Sequence, residues 1–177
     1  MAKNELPTIE YLRQCFDANF ETGILIWRER PRDHFNSDRA WKSSNSKFCG
    51  LRAGGLKPNG YYNVKISQKW FKVHRVIFAM AKGKWPTHTV DHINGKRSDN
   101  RLLKLRDISF QENMKNKAIH GNNTSGMIGV CWHKASNKWQ AQIGVHYLGL
   151  FDTQELAFVA RKSAEKEYGY HENHGRQ

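Results

Sequence analysis

The chain has 177 residues, 38% of them hydrophobic and 12% aromatic, which suits one ordinary domain or two small ones and excludes a large multidomain machine. Its 29 Lys and Arg against 16 Asp and Glu leave a net charge of +13, a balance that favours a polyanionic partner, with nucleic acid first. The longest apolar run, Val76 to Ala81, is far short of a membrane span, and Met1 to Glu5 lack the apolar centre of a signal peptide, so an intracellular protein with no membrane partner is expected.

In chain order, Thr8 is placed to cap a short helix running to about Phe16, and Gly23 opens a strand over Ile24 to Trp27. The Ser-, Asn- and Arg-rich stretch 31–48 reads as a loop that orders on a ligand. After Asn59-Gly60, the alternation Tyr61 to Ile66 and the run Trp70 to Val73 read as a hairpin, and a helix follows from Val73 until Gly83 and Pro86 stop it. Val90 to Ile93 and Leu105 to Ile108 are expected strands around an Asn94-Gly95 turn, and Ser109-x-x-Glu112 is a capping box for a helix carrying Asn113. A polar break at 120–126 precedes three expected strands, near Gly129 to Trp132, Lys138 to Val145 and Tyr147 to Leu150. A helix from Asp152 to about Tyr168 closes the chain, with Leu156, Val159, Ala160, Ser163 and Ala164 as its packing stripe. The expected class is therefore α+β, with domains at 1–119 and 120–177.

The charge is unevenly spread. Residues 39–90 hold eleven basic side chains and no Asp or Glu, whereas the tail from His120 carries six basic and five acidic. The same basic segment contains Trp41, Phe48, Tyr61, Tyr62, Trp70, Phe71 and Trp85, a mixture suited to gripping phosphates on one face while packing on the other. Lys57, Lys65, Lys69, Lys72 and Arg75 here, with Arg97 and Arg101 just beyond, are the expected backbone contacts to double-stranded DNA. Cys15, Cys49 and Cys131 are widely separated and form no CxxC, so neither a disulfide framework nor a cysteine zinc site is suggested.

Phosphodiester hydrolysis needs an activated water and neutralisation of developing charge, which a neutral imidazole and a cation held by oxygen ligands supply. Asp91, His92 and Asn113 contain that set. The stretch VDHINGKRSDNRLLKLRDISFQENMKN, residues 90–116, resembles the HNH endonuclease motif of phage and intron homing endonucleases, with DHxNG, DNR and ENMKN in order and His74-Arg75 upstream. The resemblance implies a ββα-metal core beside the small basic antiparallel sheet. It also implies Asp91 and Asn113 as ligands of a divalent metal, Mg foremost and Mn second, His92 as general base, and products with 5'-phosphate and 3'-hydroxyl ends. One departure stands out: Lys104 occupies the place where the family has an Asn that positions the catalytic His. Lysine offers only donors and a charge, so Lys104 either positions His92 differently or marks a weakened enzyme. Asn100 reads as a turn residue.

Residues 124–175 resemble a second module, the ethylene-response-factor type of DNA-binding domain (AP-two-like), through TSGMIGVCWHKASNKWQAQI, YLGLFDT and AFVARKSAEKEYG. It implies a three-stranded sheet packed on one helix, whose outer face reads DNA. His133, Lys134, Lys138, Gln140 and Gln142 are the residues carried over, the glutamines being suited to adenine. The arginines of plant members are absent. His171 and His174 read as a solvated terminus rather than a metal site. Together these readings give a homing-type endonuclease, nicking or cutting both strands, acting as a monomer in the host cytoplasm if phage-encoded. The alternatives are a non-catalytic DNA-binding protein on the same scaffold, and an RNA-binding protein.

Overall fold

The computed structural model describes residues 6–115, 117–172, 174 and 175, so Met1 to Glu5, the last motif residue Asn116, and Asn173 lie outside the described residues. The fold is α+β, built from small antiparallel sheets and short helices. It divides into two compact units at Ser109/Phe110. That is ten residues before the expected boundary, because the segment after Ser109 bonds to the tail: His171 N–H donates to the Lys115 carbonyl and Gly175 N–H to that of Lys117.

In the first unit, Thr8 caps α1 (Ile9–Cys15) by accepting from Tyr11 N–H. The chain then turns directly into β1 (Phe16–Asn19), which pairs with β2 (Ile24–Trp27). Residues 38–48, expected as loop, form α2 (Asp38–Phe48) with Ser37 as N-cap. Its polarity hides the signal, because no residue of α2 is buried. The helix is anchored by hydrogen bonds instead: Trp41 Nε1 and Asn45 Nδ2 both donate to the Arg30 carbonyl at 2.9 Å.

A three-stranded sheet follows, ordered β3 (Gly55–Leu56), β4 (Tyr62–Ile66), β5 (Lys69–Lys72). Val64 and Ile66 bury one face, while Lys65 and Trp70 sit opposite each other on the exposed one. Helix α3 (Val73–Lys82) buries Val73, Val76, Ile77 and Ala79 against α1 and the sheet, and ends at Gly83 in the left-handed region. Strands β6 (Thr89–His92) and β7 (Leu105–Ile108) form a two-stranded ribbon, with Val90 and Leu105 joining the same core.

The second unit begins with α4 (Phe110–Met114). Its sheet runs in the order β10 (His146–Phe151), β9 (Lys138–Ile143), β8 (Val130–His133), and α5 (Gln154–Glu167) packs on it. Helix α5 starts two residues after the expected Asp152, with Thr153 as its cap accepting from Leu156 N–H. The buried stripe of α5 also differs from expectation. Leu156 and Val159 are exposed, and Ala157, Arg161, Ala164 and Glu165 face inward. The small core of Val130, Ala141 and Ala157 leaves room for the Arg161 stem, whose Nε donates to the Ile128 carbonyl at 2.8 Å.

Candidate active site

Alternation along β6 sends Asp91 and His92 to opposite faces. His92 points inward with Val90 and is 3% exposed, while Asp91 is partly exposed and stands opposite Arg106 of β7. Arg106 donates two hydrogen bonds to Asp91 Oδ2, at 3.2 Å from Nε and 3.0 Å from Nη2. Nothing in the linear sequence singles out Arg106; it is found only once the register places it across from Asp91. The strand ends at His92, as the turn requires: Gly95 N–H donates to the His92 carbonyl and Ile93 N–H to the Lys104 carbonyl. Asn113 lies on α4, in the second unit.

The His92 ring meets His74 edge-on, centroids 4.7 Å apart, and Tyr61 lies 5.3 Å from His74 and 6.0 Å from His92. Burial pushes the His74 imidazolium down to about 3, with His92, Lys72 and Arg75 adding to the effect. Burial also lowers His92, opposed by the Asn100 amide and by Asp91 and Asp99. Both rings are therefore neutral near pH 7, the state a general base needs. The cation that disfavours protonation of His92 is Lys72, whereas Lys104 enters through its backbone carbonyl.

Asn100 is more than a turn residue. It is 2% exposed, neither of its amide atoms finds a hydrogen-bond partner of ordinary geometry, and its amide acts on His92. The loop carrying it is buttressed from behind by the β1–β2 turn. Gly23, at φ +70°, approaches so closely that a Cβ there would stand 2.3 Å from the Asn100 carbonyl carbon, and Leu102 N–H donates to the Phe20 carbonyl. Only glycine fits that position.

The expected DNA contacts fall into two sets. Lys57 lies over the Trp70 ring at 4.5 Å, Lys65 is exposed beside it, and Lys72 and Arg97 lie over Tyr61 at 4.1 and 5.3 Å. Lys69 and Arg75 flank them on β5 and α3. Arg101 is instead clamped onto Asp99, at 2.8 and 2.6 Å, which holds that carboxyl far below its usual range. In the second unit, the register places Cys131 opposite Gln140 and His133 opposite Lys138, with Gln142 on the same outward face. Lys138 pairs with Asp152 at 2.9 Å, and Lys134 lies in the turn after β8. His174 is buried against Arg161 and Tyr170 rather than frayed into solvent, and burial lowers its pKa.

A cleft of about 550 Å³ in the first unit lies between α2 and the exposed face of β4 and β5 and includes neither Asp91 nor His92. Among the described residues no helix is long and apolar enough to cross a membrane.

Residues 71–115 match the family model described as HNH endonuclease. A solved structure, titled as DNA binding and cleavage by the HNH homing endonuclease I-HmuI, aligns over 64% of this chain with 21% identity and a TM-score of 0.42. The chain spans 57% of that protein's chain. No curated protein matches.

Proposed function

We propose that the protein is a metal-dependent HNH DNA endonuclease of the homing type, in which the first unit grips the backbone and carries the catalytic base. The observation that carries the reading is the coincidence of three things: the strand-loop-strand of β6 and β7 with Asp91 and His92, the match to the HNH endonuclease family over residues 71–115, which begins in the first unit and runs on through α4, and cations held on aromatic rings beside that ribbon.

His92, kept neutral by burial and by Lys72, takes the proton of the attacking water. Lys104 anchors the residue after it through the backbone, and the Asn100 amide faces the ring. The proposed metal donors are Asp91 and, by the motif, Asn113. Both offer oxygen, which fits Mg or Mn. Among the described residues no group of three or more His, Cys, Asp or Glu is placed to hold a metal ion, so phosphate and water would have to complete the shell. When bound, the cation neutralises charge on the phosphate and on the leaving oxygen. His92 is almost wholly covered, so the side chains bordering it have to yield as DNA seats.

Residues 120–177 are proposed as a second DNA reader of the ethylene-response-factor type, using Gln140 and Gln142 on the outward face of β9. The test is incubation of supercoiled plasmid with the protein and Mg or Mn, beside His92→Ala and a chelator control. The expected outcome is relaxed circles from the wild type with metal and from neither control. A second reading, a DNA-binding protein without catalysis, is favoured by the Arg106 fork on Asp91 and the cover over His92; absence of nicking with either metal would establish it instead.

A further inference from the structure

We infer that Tyr61 is a positioning residue whose ring assembles Lys72 and Arg97 into a clamp for a DNA phosphate next to the His74–His92 pair. The inference rests on the nuclease reading for what the clamp serves, but its geometry stands apart from the metal. Tyr61 is where four chemistry-bearing side chains meet. Lys72 Nζ lies 4.1 Å and the Arg97 guanidinium carbon 5.3 Å from the ring centroid, and His74 and His92 approach it at 5.3 and 6.0 Å.

Two cations brought to one ring repel each other, and an aromatic face offsets only part of that cost. Lys72 registers the crowding: burial lowers its pKa, and Arg75 and Arg97 lower it further. In most proteins a carboxylate would relieve such a cluster. Here the nearby carboxylates already have other arginines, Asp91 with Arg106 at 3.0 Å and Asp99 with Arg101 at 2.6 Å. Among the described residues Lys72, Arg75 and Arg97 form no ion pair. Asp107 of the same ribbon is taken up by the Thr87 and His88 N–H groups, so the acids here are engaged elsewhere and a group of like charges is left, held together by an aromatic ring. An incoming phosphodiester is the anion that relieves them.

Local backbone geometry supports the same assignment. Tyr61 follows a turn closed by Gly60 N–H donating to the Lys57 carbonyl, and Gly60 adopts φ +82°. The Arg97 stem lies 3.6 Å from where a Gly60 Cβ would be, and Arg97 Nη1 donates to the Asn59 carbonyl at 3.1 Å. The turn therefore presents the ring and holds the arginine on it.

The test is a double-mutant cycle of Tyr61→Leu and Lys72→Met, with Tyr61→Phe as the ring-preserving variant, on the full chain. For each variant, plasmid nicking gives kcat and KM, and metal-free titration of a labelled duplex gives affinity against salt. The expected result is that Tyr61→Leu and Lys72→Met each lower kcat/KM about tenfold or more, while the double variant is little worse than Lys72→Met alone. Tyr61→Phe recovers most of what Tyr61→Leu loses, and Tyr61→Leu reduces the salt slope by about one phosphate contact. Multiplying effects in the double variant, or a Tyr61→Phe as impaired as Tyr61→Leu, would overturn the clamp. If the wild type proves not to nick, the nuclease reading fails but the clamp is still decided by the salt slopes: an unchanged slope in Tyr61→Leu refutes it.

Discussion

The two units use the same residue types in opposite directions. In the first, lysine and arginine stand at the surface on aromatic rings: Lys57 on Trp70, Arg52 on Tyr62, Lys72 and Arg97 on Tyr61. In the second, Arg161 is turned inward, 2% exposed, with Glu165 at 3.5 Å, His174 at 3.2 Å and the Tyr170 ring at 5.0 Å. An aromatic ring under an exposed cation fixes its place without neutralising it, whereas a buried carboxylate partner consumes the charge in holding a small core. Charge available to a polyanion is therefore concentrated in the first unit, beyond what the composition alone conveys.

The largest separation between the units is expected in chemistry. His92→Ala should lower nicking by about 10²–10⁴-fold, the usual contribution of a general base, with duplex affinity preserved. Next, Arg161→Met removes a buried guanidinium and its hydrogen bond to the Ile128 carbonyl, while Glu165 keeps Lys162 at 2.8 Å; it should cost about 1.5–3 kcal/mol, read as a lowered denaturant midpoint of the second unit while the salt slope of DNA binding stays the same. A loss of salt slope in this variant would mean that Arg161 serves DNA rather than the core.

Two glycines sharpen the comparison at smaller scale. A Cβ at Gly129, where φ is +80°, would stand 2.3 Å from the Gln142 carbonyl oxygen, and one at Gly23 would strike Asn100. Each Gly→Ala change should cost on the order of 1–3 kcal/mol. Only Gly23→Ala, by shifting the loop behind His92, should reduce nicking by more than its loss of folded protein; comparing specific activity per folded molecule decides this.

The smallest effect is on pH. His74 and His92 titrate below their unfolded value in the folded chain, so the unfolded state binds more protons between the two values. Stability of the first unit is thus fully present above about pH 6.5 and declines as pH falls, for His74 down to about 3. His74→Leu should flatten the decline in urea midpoint between pH 7 and 5; an unchanged slope would place the acid sensitivity elsewhere.

Much of this was legible in the sequence because local signals carried it. Thr8, the Asn94-Gly95 turn and the alternation in β4 and β9 act within a few residues, and the ordered motif placed Asp91 and His92 on one strand. What was hidden depends on register or on distant partners. Helix α2 was missed because hydrogen bonds to Arg30, and not an apolar stripe, hold it. The α5 face was misread because a buried arginine replaces the expected aliphatic stripe. Arg106 and Asn100 became visible only when pairing of β6 with β7 and the close approach of Gly23 set them beside Asp91 and His92.

The difference between the units is tested most directly by the salt dependence of duplex affinity in two full-chain variants, one with Lys57, Lys65 and Lys72 changed to Gln, the other with Lys134 and Lys138 changed to Gln. Each lost phosphate contact should reduce the slope of log affinity against log salt by about 0.9. The account predicts a fall of about two or more in the first variant and little change in the second, where Lys138 is already paired with Asp152. Equal flattening in both, or a larger one in the second, would contradict it.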